Sequence, residues 1–259
     1  MIPIKEPWEL GVMRTAGRKL AEVVAGLREQ IVVGAATLDI DRMTEEAIVN
    51  AGAKPAFKGY RVGRAVFPGT ICVSINEQVV HGIPSKRKLK EGDLVSLDFG
   101  LVYGGYYVDT AFSVVLPPVE AESARLLDAT EKSLYEAVAR ARVNARIGDI
   151  GHAVQSYCES RSLGVVTQFV GHGIGRKLHE EPSVPNFGKA GTGYLLKAGM
   201  VLAIEPMVTL GSPRTRILGD EWTVVTEDGG RAAHFEHTVA ITPSGPEILT
   251  SLDPSPPIR

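Results

Sequence analysis

The stretch from Leu94 to Leu116, LVSLDFGLVYGGYYVDTAFSVVL, constrains the fold more than any other part of this 259-residue chain. β-Branched and aromatic residues fill it on both sides of Gly104-Gly105, and a two-glycine turn between two such runs is typical of a β-hairpin. A two-residue turn at these glycines fixes the register of the hairpin. Tyr103 then faces Tyr106, and every other cross-strand pair follows.

The same register predicts that two aspartates of the hairpin lie close together. Asp98 falls opposite Ala111, so Asp109 is its diagonal neighbour on the same face, with backbones about 7–8 Å apart. Aspartate is disfavoured within strands and costly to bury unpaired, and two like charges repel unless cations lie between them. A metal site is the favoured interpretation. One aspartate in a salt bridge and the other at a strand end stays open, and a three-residue turn would remove the pairing.

Two glutamates and a histidine extend this candidate site. Glu205 ends the apolar run VLAIEPMV, Glu236 precedes a predicted strand in AHFEHTVAIT, and His172 lies in FVGHGIGRKLHEEP. Four carboxylates and one imidazole can hold two divalent cations about 3.5–4 Å apart. Oxygen-rich ligation of this kind favours manganese, iron, cobalt or zinc. The alternative, a surface glutamate at a strand end, stays open for each glutamate.

The glycines of GHGIG do not predict a phosphate-binding loop. Such a loop continues with Lys-Ser/Thr after its last glycine, whereas here Arg176-Lys177 lead to Leu178-His179. We expect the glycines to let backbone and substrate come close to a crowded metal pair.

The order of helices and strands indicates two similar halves. Pro7 is suited to the first position of a long amphipathic helix, and a second helix is predicted from Thr37, as N-cap, to about Asn50, closed by Gly52. After Pro117-Pro118 the order of a long helix, a glycine-containing turn and a shorter helix returns. VGAATLDIDRMTEEA and ARIGDIGHAVQSYCE are weakly alike. An internal duplication would give two α+β halves with a cleft between them.

Composition excludes several classes of protein. The chain is 44% hydrophobic and 22% charged with a net charge of −2, which is typical of a soluble globular protein and gives no field suited to nucleic acid or an anionic membrane. No apolar stretch reaches the length of a signal peptide or a membrane span. Cys72 and Cys158 are far apart and are expected to be reduced, so a cytoplasmic protein is predicted. The basic run from Lys86 to Lys90 is interpreted as a solvated loop, with a docking patch as the other reading.

Taken together, these motifs resemble one known family. GHGIGRKLHEEP, SLDFGLVYGGYYVDTAFSV, AIEP and FEHT resemble the type I methionine aminopeptidases in sequence and in order, and CVSINEQVVHGIP is similar to the same family's signature. The resemblance runs from about Ile4 to Pro243. It implies an α/β (α+β) pita-bread fold, also called creatinase/aminopeptidase-like, with two pseudo-symmetric halves around a central dimetal site. It also implies a single catalytic domain over residues 1–259, with pseudo-repeats at about 8–116 and 120–243.

The resemblance implies roles for particular residues. The positions that match the family's metal ligands are Asp98, Asp109, His172, Glu205 and Glu236, of which Asp109 and Glu236 would contact both ions. His81 and His179 match the two active-site histidines that do not bind metal. The positions that match the methionine pocket are Cys72, Trp222, Tyr60 and Phe67. The chain departs from the family pattern by extra residues between Tyr60 and Phe67, and by Leu178 where many members have an aromatic residue.

The activity implied by the resemblance is that of a methionyl aminopeptidase, a metal-dependent exopeptidase and hydrolase. Such an enzyme removes the N-terminal methionine of nascent proteins when the second residue is small, by means of a metal-activated water. Glu205 is the expected proton acceptor, His179 the donor to the developing oxyanion, and His81 a contact for the scissile nitrogen or the substrate backbone. The expected partners are nascent N-termini, with transient ribosome contact, and the expected state is a monomer. Arg214 and Arg216 are candidates for the ribosome contact, although two arginines on a loop are usually only solvated.

Two other functions stay open from the sequence. An aminopeptidase P or prolidase shares this fold and ligand set, although such enzymes usually carry a large extra N-terminal domain. A pita-bread protein that binds ribosomes or RNA without catalysis is the second alternative. It is expected to lack metal ligands, whereas this chain fills all five ligand positions.

Overall fold

The computed structural model describes residues 2–252, so residue 1 and residues 253–259 of the predicted domain lie outside the described part. The α-helices are α1 (Pro7–Leu27), α2 (Thr37–Asn50), α3 (Ala121–Arg140) and α4 (Ile147–Glu159), and a 3₁₀ turn covers Arg28–Gln30. The strands of the first half are β1 (Lys54–Pro55), β2 (Arg61–Val62), β3 (Ala65–Val66), β4 (Ile71–Ile75), β5 (Gln78–Val80), β6 (Leu94–Tyr103) and β7 (Tyr106–Val115). The later strands are β8 (Gly164–Val165), β9 (Gly171–Gly173), β10 (Glu180–Val184), β11 (Val201–Ile204), β12 (Met207–Thr209), β13 (Thr215–Ile217), β14 (Val224–Thr226), β15 (Ala232–His234), β16 (Glu236–Thr242) and β17 (Gly245–Ile248).

One large antiparallel sheet runs through the molecule. Its strand order is β1-β6-β7-β16-β11-β9-β10, with β4 beside β6 and β17 beside β16. Three smaller sheets, β15-β12-β8, β13-β14-β5 and β2-β3, flank it. Helix α1 packs on β6 and β7, and α3 packs on α4 and β15. The order matters for function because it places β6, β7, β16, β11 and β9 side by side, although they come from distant parts of the chain.

The predicted hairpin is confirmed in its register. Tyr103 pairs with Tyr106, and Asp98 lies opposite Ala111. Gly104 and Gly105 both have positive φ, 58° and 83°. A two-residue turn of this kind matches the right-handed twist of the two strands, and glycine adopts it without steric cost. The pairing of β6 with β7 therefore follows from local sequence alone.

The first two helices begin where the sequence predicts, with one correction. Pro7 is the first residue of α1, and α2 spans Thr37–Asn50 with Gly52 just beyond it at φ 72°. Thr37, however, is not the N-cap, which is Ala36. The Thr37 hydroxyl is engaged elsewhere: it donates to the carbonyl of Ser85 and accepts from the Ser85 N–H. It therefore ties α2 to a neighbouring loop rather than capping its own helix.

The apolar face of α1 is buried as its spacing predicts. Met13 and Leu20 are fully shielded from solvent and belong to the main hydrophobic cluster, together with Phe99 and Leu101 from β6. Within residues 2–252, no helix combines the length and apolar character needed to cross a lipid bilayer.

Candidate metal centre and active-site cleft

The structure brings together all five side chains that the sequence singles out as candidate metal ligands. Each is delivered by a different segment: Asp98 by β6, Asp109 by β7, His172 by β9, Glu205 by the residue after β11, and Glu236 by the start of β16. All five line one cavity. Adjacent strands of the central sheet thus carry residues separated by well over a hundred positions to a single point.

Three of the five side chains have donor atoms close enough to share an ion. Among the described residues, one donor atom each of Asp109, His172 and Glu236 lies within 4.8 Å of the others. His172 Nε2 is 3.5 Å from Asp109 Oδ2 and 3.6 Å from Glu205 Oε1. Glu236 lies directly opposite Ala111 in the ladder between β16 and β7, so Asp109, two residues away on β7, is its diagonal neighbour. The cluster is therefore held by backbone pairing and not by mutual hydrogen bonding of the side chains alone.

The burial and mutual proximity of the carboxylates favour a bound cation. Burial is the main cause that raises the pKa of Asp98 and of Glu205 to about 8, and the neighbouring carboxylate of Asp109 raises both further. Burial and three facing carboxylates raise the pKa of Glu236 well above its usual range. Within the described part of the chain, the buried Oδ1 of Asp98 has no hydrogen-bond partner. Ionised carboxylates so arranged are costly unless cations compensate them, so this oxygen-rich donor set fits divalent metal ions.

The imidazole of His172 is oriented as a metal-binding imidazole would be. Its Nδ1 lies 2.9 Å from the carbonyl oxygen of Gly173. Because a carbonyl can only accept, Nδ1 carries the proton and donates it, which leaves the lone pair of Nε2 directed at the carboxylates. Such a backbone contact behind a histidine fixes both tautomer and ring orientation.

Two glycines beside His172 allow the strands to pack closely. A Cβ at Gly171 would collide with the carbonyl oxygen of Ala203, and a Cβ at Gly173 with that of Glu181. Strand β9 is therefore squeezed between β11 and β10. The expected close approach of backbone is found here, and close approach of substrate stays a prediction.

An apolar cavity of about 260 Å³ lies against the carboxylate cluster. Every residue named from the sequence for the pocket or for the non-ligand histidines lines it, namely Tyr60, Phe67, Cys72, His81, Leu178, His179 and Trp222. The rings of Phe67 and Trp222 meet edge to face, with centroids 5.2 Å apart. Sequence reasoning missed other lining residues, among them Phe57, Phe169 and Met207. The cavity thus has apolar, mainly aromatic walls and a charged end.

The two histidines at the cavity are kept neutral. Partial burial, together with His172 and His81 nearby, lowers the pKa of His179 to about 3. Burial also lowers the pKa of His81 to about 4, and His81 has a left-handed backbone with φ 61°. Nonglycine residues in that region are uncommon and concentrate at functional sites. Both imidazoles can therefore donate one N–H into the cleft at neutral pH.

The two departures from the family pattern lie at the cavity. The extra residues after Tyr60 form the β2-β3 hairpin, and Val62 from this hairpin lines the cavity while remaining exposed. Leu178 is buried at the cavity wall. Both departures therefore lie in the wall of the cavity, and neither involves a residue of the carboxylate cluster.

One residue near the cluster, His234, escaped the sequence analysis. It is the last residue of β15 and is 2% exposed. Its Nε2 lies 3.6 Å from Glu205 Oε2. A signal for it existed in AHFEHT, because residues two apart on an extended chain face the same side and Glu236 was already a candidate.

Comparisons with known proteins agree with this geometry. The family model described as metallopeptidase family M24 matches residues 11–243. A methionine aminopeptidase of Clostridium perfringens is 47% identical to the chain, over 96% of this chain and 99% of that protein. The crystal structure of a methionine aminopeptidase from Thermotoga maritima superposes with a TM-score of 0.93 at 44% identity, covering 97% of this chain and 100% of that one.

A more distant structure shares the fold alone. A prolidase from Pyrococcus furiosus superposes with a TM-score of 0.76 at 21% identity, and 96% of this chain covers 66% of that protein. The predicted pita-bread fold is confirmed by these neighbours. The match over residues 11–243 and the identity over nearly the full length show that the chain is a hydrolase and belongs to metallopeptidase family M24.

Proposed function

We propose that this enzyme removes the N-terminal methionine from newly made polypeptides whose second residue is small. The observation that carries the proposal is the position of the carboxylate–histidine cluster at the end of an apolar, aromatic-lined cavity. Such a cavity takes one side chain and holds the adjoining peptide bond at the cluster. The 47% identical relative from Clostridium perfringens, named a methionine aminopeptidase, supports the same substrate class.

We assign five ligands and two ions to the metal site. The residues that would hold the ions are Asp98, Asp109, His172, Glu205 and Glu236, and Asp109 and Glu236 would serve both ions. Cobalt, manganese, iron and zinc all suit this donor set. When bound, the ions supply Lewis-acid polarisation of the scissile carbonyl and lower the pKa of a water molecule towards neutrality.

Glu205 is the proposed proton carrier. Its carboxylate accepts a proton from the attacking water as the water oxygen bonds to the carbonyl carbon, and it delivers that proton to the leaving amine as the C–N bond breaks. Burial supports this role because it raises the basicity of the carboxylate, with a pKa of about 8 in the metal-free protein. The proton therefore ends on the new N-terminus of the shortened chain.

The two neutral histidines bind the reacting peptide bond. His179 donates an N–H to the carbonyl oxygen as that oxygen becomes anionic, a contact worth about 3–4 kcal/mol in comparable sites. His81 lies against Trp222 and Phe169 and contacts the scissile nitrogen or the backbone next to it. These contacts position the peptide bond over the cluster.

The cavity walls support selection of methionine. An unbranched thioether adapts to an irregular apolar space, and its sulfur makes favourable contacts of about 0.3–1.5 kcal/mol with aromatic rings. Phe67, Trp222 and Phe169 supply such rings, and the buried Cys72 adds a small apolar surface. Tyr60 and Leu178 complete the wall on the side of His179.

The substrate test compares two tripeptides under the same metal conditions. Met-Ala-Ser is expected to be cleaved at least ten times faster than Ala-Pro-Ser, because the N-terminal alanine of the proline peptide has only a methyl group to place in the cavity. The release of free methionine or alanine is followed by mass spectrometry in the presence of Mn²⁺ or Co²⁺. Faster cleavage of the proline peptide would reject the methionine proposal in favour of the prolidase class.

Partners, location and domain organisation are also proposals. The substrates would be nascent N-termini, reached in the cytoplasm, with transient ribosome contact at the exposed Arg214 and Arg216. The enzyme would act as a monomer and as one catalytic domain. The repeated order α1-α2 and α3-α4, each followed by strands of the central sheet, supports the predicted pseudo-repeats at about 8–116 and 120–243.

A further inference from the structure

His234 has a backbone that is fixed from both sides by one hydroxyl group. The Ser113 hydroxyl accepts a hydrogen bond from the His234 N–H and donates one to the His234 carbonyl. Ser113 Oγ is also 2.7 Å from Ser96 Oγ, its cross-strand partner in the β6-β7 hairpin. The hairpin that carries two of the candidate ligands therefore also fixes the position of His234.

The side chain of His234 points at the candidate metal centre without a partner. Among the described residues, its buried Nε2 makes no hydrogen bond. The nearest carboxylate oxygen is Glu205 Oε2 at 3.6 Å, which is too far for a hydrogen bond in this structure. Leaving such a group unsatisfied in a buried position destabilises the folded protein. A buried, unpaired nitrogen beside a reactive carboxylate calls for a functional explanation.

Glu205 lies between two imidazoles that face its two oxygens separately. Oε1 is 3.6 Å from His172 Nε2, and Oε2 is 3.6 Å from His234 Nε2. His172 presents a lone pair because its Nδ1 donates to Gly173. A second lone pair opposite Oε2 would repel the carboxylate, whereas an N–H there would hold it. The geometry therefore favours the His234 tautomer that carries its proton on Nε2.

The contact that His234 makes is with one oxygen of one carboxylate. Among the described residues, the carboxylate oxygen at ion-pair distance from its Nε2 is Oε2 of Glu205. The other oxygen of Glu205, Oε1, is the one that faces His172. Support of Glu205 from behind fits this placement better than direct metal binding.

We propose that His234 is a positioning residue that donates its Nε2–H to Oε2 of Glu205 and thereby turns Oε1 toward the metal centre. The proposal rests on the role proposed above for Glu205. With Oε2 held, the carboxylate cannot rotate away from the ions or from the attacking water. Loss of this hydrogen bond weakens metal binding and also slows turnover. Removing a residue that hydrogen-bonds to a metal ligand typically lowers metal affinity by about 10–100-fold.

The test uses two amide side chains that differ by one methylene group. His234→Gln places an N–H donor near the position of Nε2, whereas His234→Asn places its amide near Nδ1 and does not reach Glu205. Mn²⁺ is titrated by calorimetry into the metal-free full-length proteins, without any peptide. The Gln variant is expected to bind Mn²⁺ within about threefold of wild type, and the Asn variant about 10–100-fold more weakly.

A matched control separates this effect from loss of core packing. Cys158→Ala opens a small space in the buried face of α4, at a residue that does not line the cavity. It is expected to lower the melting temperature and leave Mn²⁺ affinity unchanged. The same proteins, saturated with Mn²⁺, are then assayed for kcat and KM on Met-Ala-Ser. The Asn variant should lose kcat with KM within about twofold of wild type, and the Gln variant should recover most of it.

Two results overturn the proposal. Wild-type Mn²⁺ affinity in His234→Asn shows that the hydrogen bond does not act on the metal centre. Equal weakening in His234→Gln and His234→Asn shows that the imidazole itself is required, as a ligand or for packing. Because the calorimetric readout uses no substrate, it stands even if methionine peptides prove not to be substrates, so the two failures are distinguishable.

Discussion

The hydroxyl oxygen of Tyr60 lies 2.6 Å from Nδ1 of His179. His179 is neutral because partial burial lowers its pKa to about 3, and the pKa of Tyr60 is raised, mainly by burial, so the phenol keeps its proton. The phenol has a proton to donate and a neutral Nδ1 can accept it, and we infer this direction for the hydrogen bond. The single proton of the imidazole is then on Nε2, where it can be donated to a substrate oxygen in the cleft.

Replacing Tyr60 with phenylalanine should release His179 from this tautomer. We expect kcat on Met-Ala-Ser to fall about two- to tenfold, the equivalent of a neutral hydrogen bond of about 0.5–1.5 kcal/mol. Metal content, measured by plasma emission, should stay unchanged. Tyr194→Phe is the matched control because Tyr194 is an exposed residue outside the cavity. A Tyr60→Phe enzyme with wild-type kcat would contradict the assigned tautomer.

His179→Ala tests the proposed oxyanion contact itself. Loss of a donor to the developing oxyanion should cut kcat by about 10²–10³-fold. Bound Mn²⁺ per chain should not change, since the ring is assigned no ligand role. Retention of wild-type turnover in this variant would exclude the oxyanion role. Loss of bound metal would exclude it as well and would make His179 a ligand.

The hairpin and its two aspartates could be predicted because they depend on local rules. The two-glycine turn fixes the register of β6 against β7, and the register decides which side chains share a face of the hairpin. The proximity of Asp98 and Asp109 then follows without reference to the rest of the chain. Family resemblance supplied what local rules could not, namely that His172 and two glutamates from later strands reach the same point. The predicted N-cap of α2 was wrong by one residue, because the Thr37 hydroxyl forms a hydrogen bond with a loop far away in sequence.

His234 shows the limit of such reasoning. Its position two residues before Glu236 indicates the face it shares, but not the neighbour it meets there. That neighbour, Glu205, directly follows β11, and its distance from His234 depends on the packing of two separate sheets. Likewise, the sequence indicates only that the extra residues after Tyr60 are an insertion. The tertiary structure shows that they place Val62 at the cavity.

Removal of metal should make stability depend on pH in a defined direction. The pKa of Asp98 and of Glu205 is raised to about 8 in the folded, metal-free protein, so the folded state binds more protons than the unfolded state between about pH 4 and pH 8. The contribution of these groups is fully present below about pH 4 and is lost as pH rises through about 8. For each extra proton that the folded state binds, the free energy of unfolding falls by about 1.4 kcal/mol per pH unit within this range, or about 3–6 °C in Tm.

The measurement compares Tm with and without Mn²⁺ at pH 5 and pH 8. The stabilisation by Mn²⁺ should be larger at pH 8, where the carboxylates would otherwise be ionised and facing one another. Asp128→Asn serves as a control because Asp128 pairs with Lys132 on the exposed face of α3. Equal Mn²⁺ stabilisation at both pH values would contradict the assignment of these carboxylates as ligands.

The central claim, metal-dependent removal of an N-terminal methionine ahead of a small residue, is tested most directly on intact proteins. Two reporters that differ only in their second residue, Met-Ala and Met-Leu, are incubated with the metal-stripped enzyme, with the enzyme plus Mn²⁺, and with the Glu205→Gln enzyme plus Mn²⁺. Intact mass spectrometry then follows each reporter. We predict the loss of one methionine from the Met-Ala reporter with the Mn²⁺-loaded wild-type enzyme only, and no change in the Met-Leu reporter. Equal trimming by the stripped enzyme, or no trimming of the Met-Ala reporter under any condition, would contradict the proposed function.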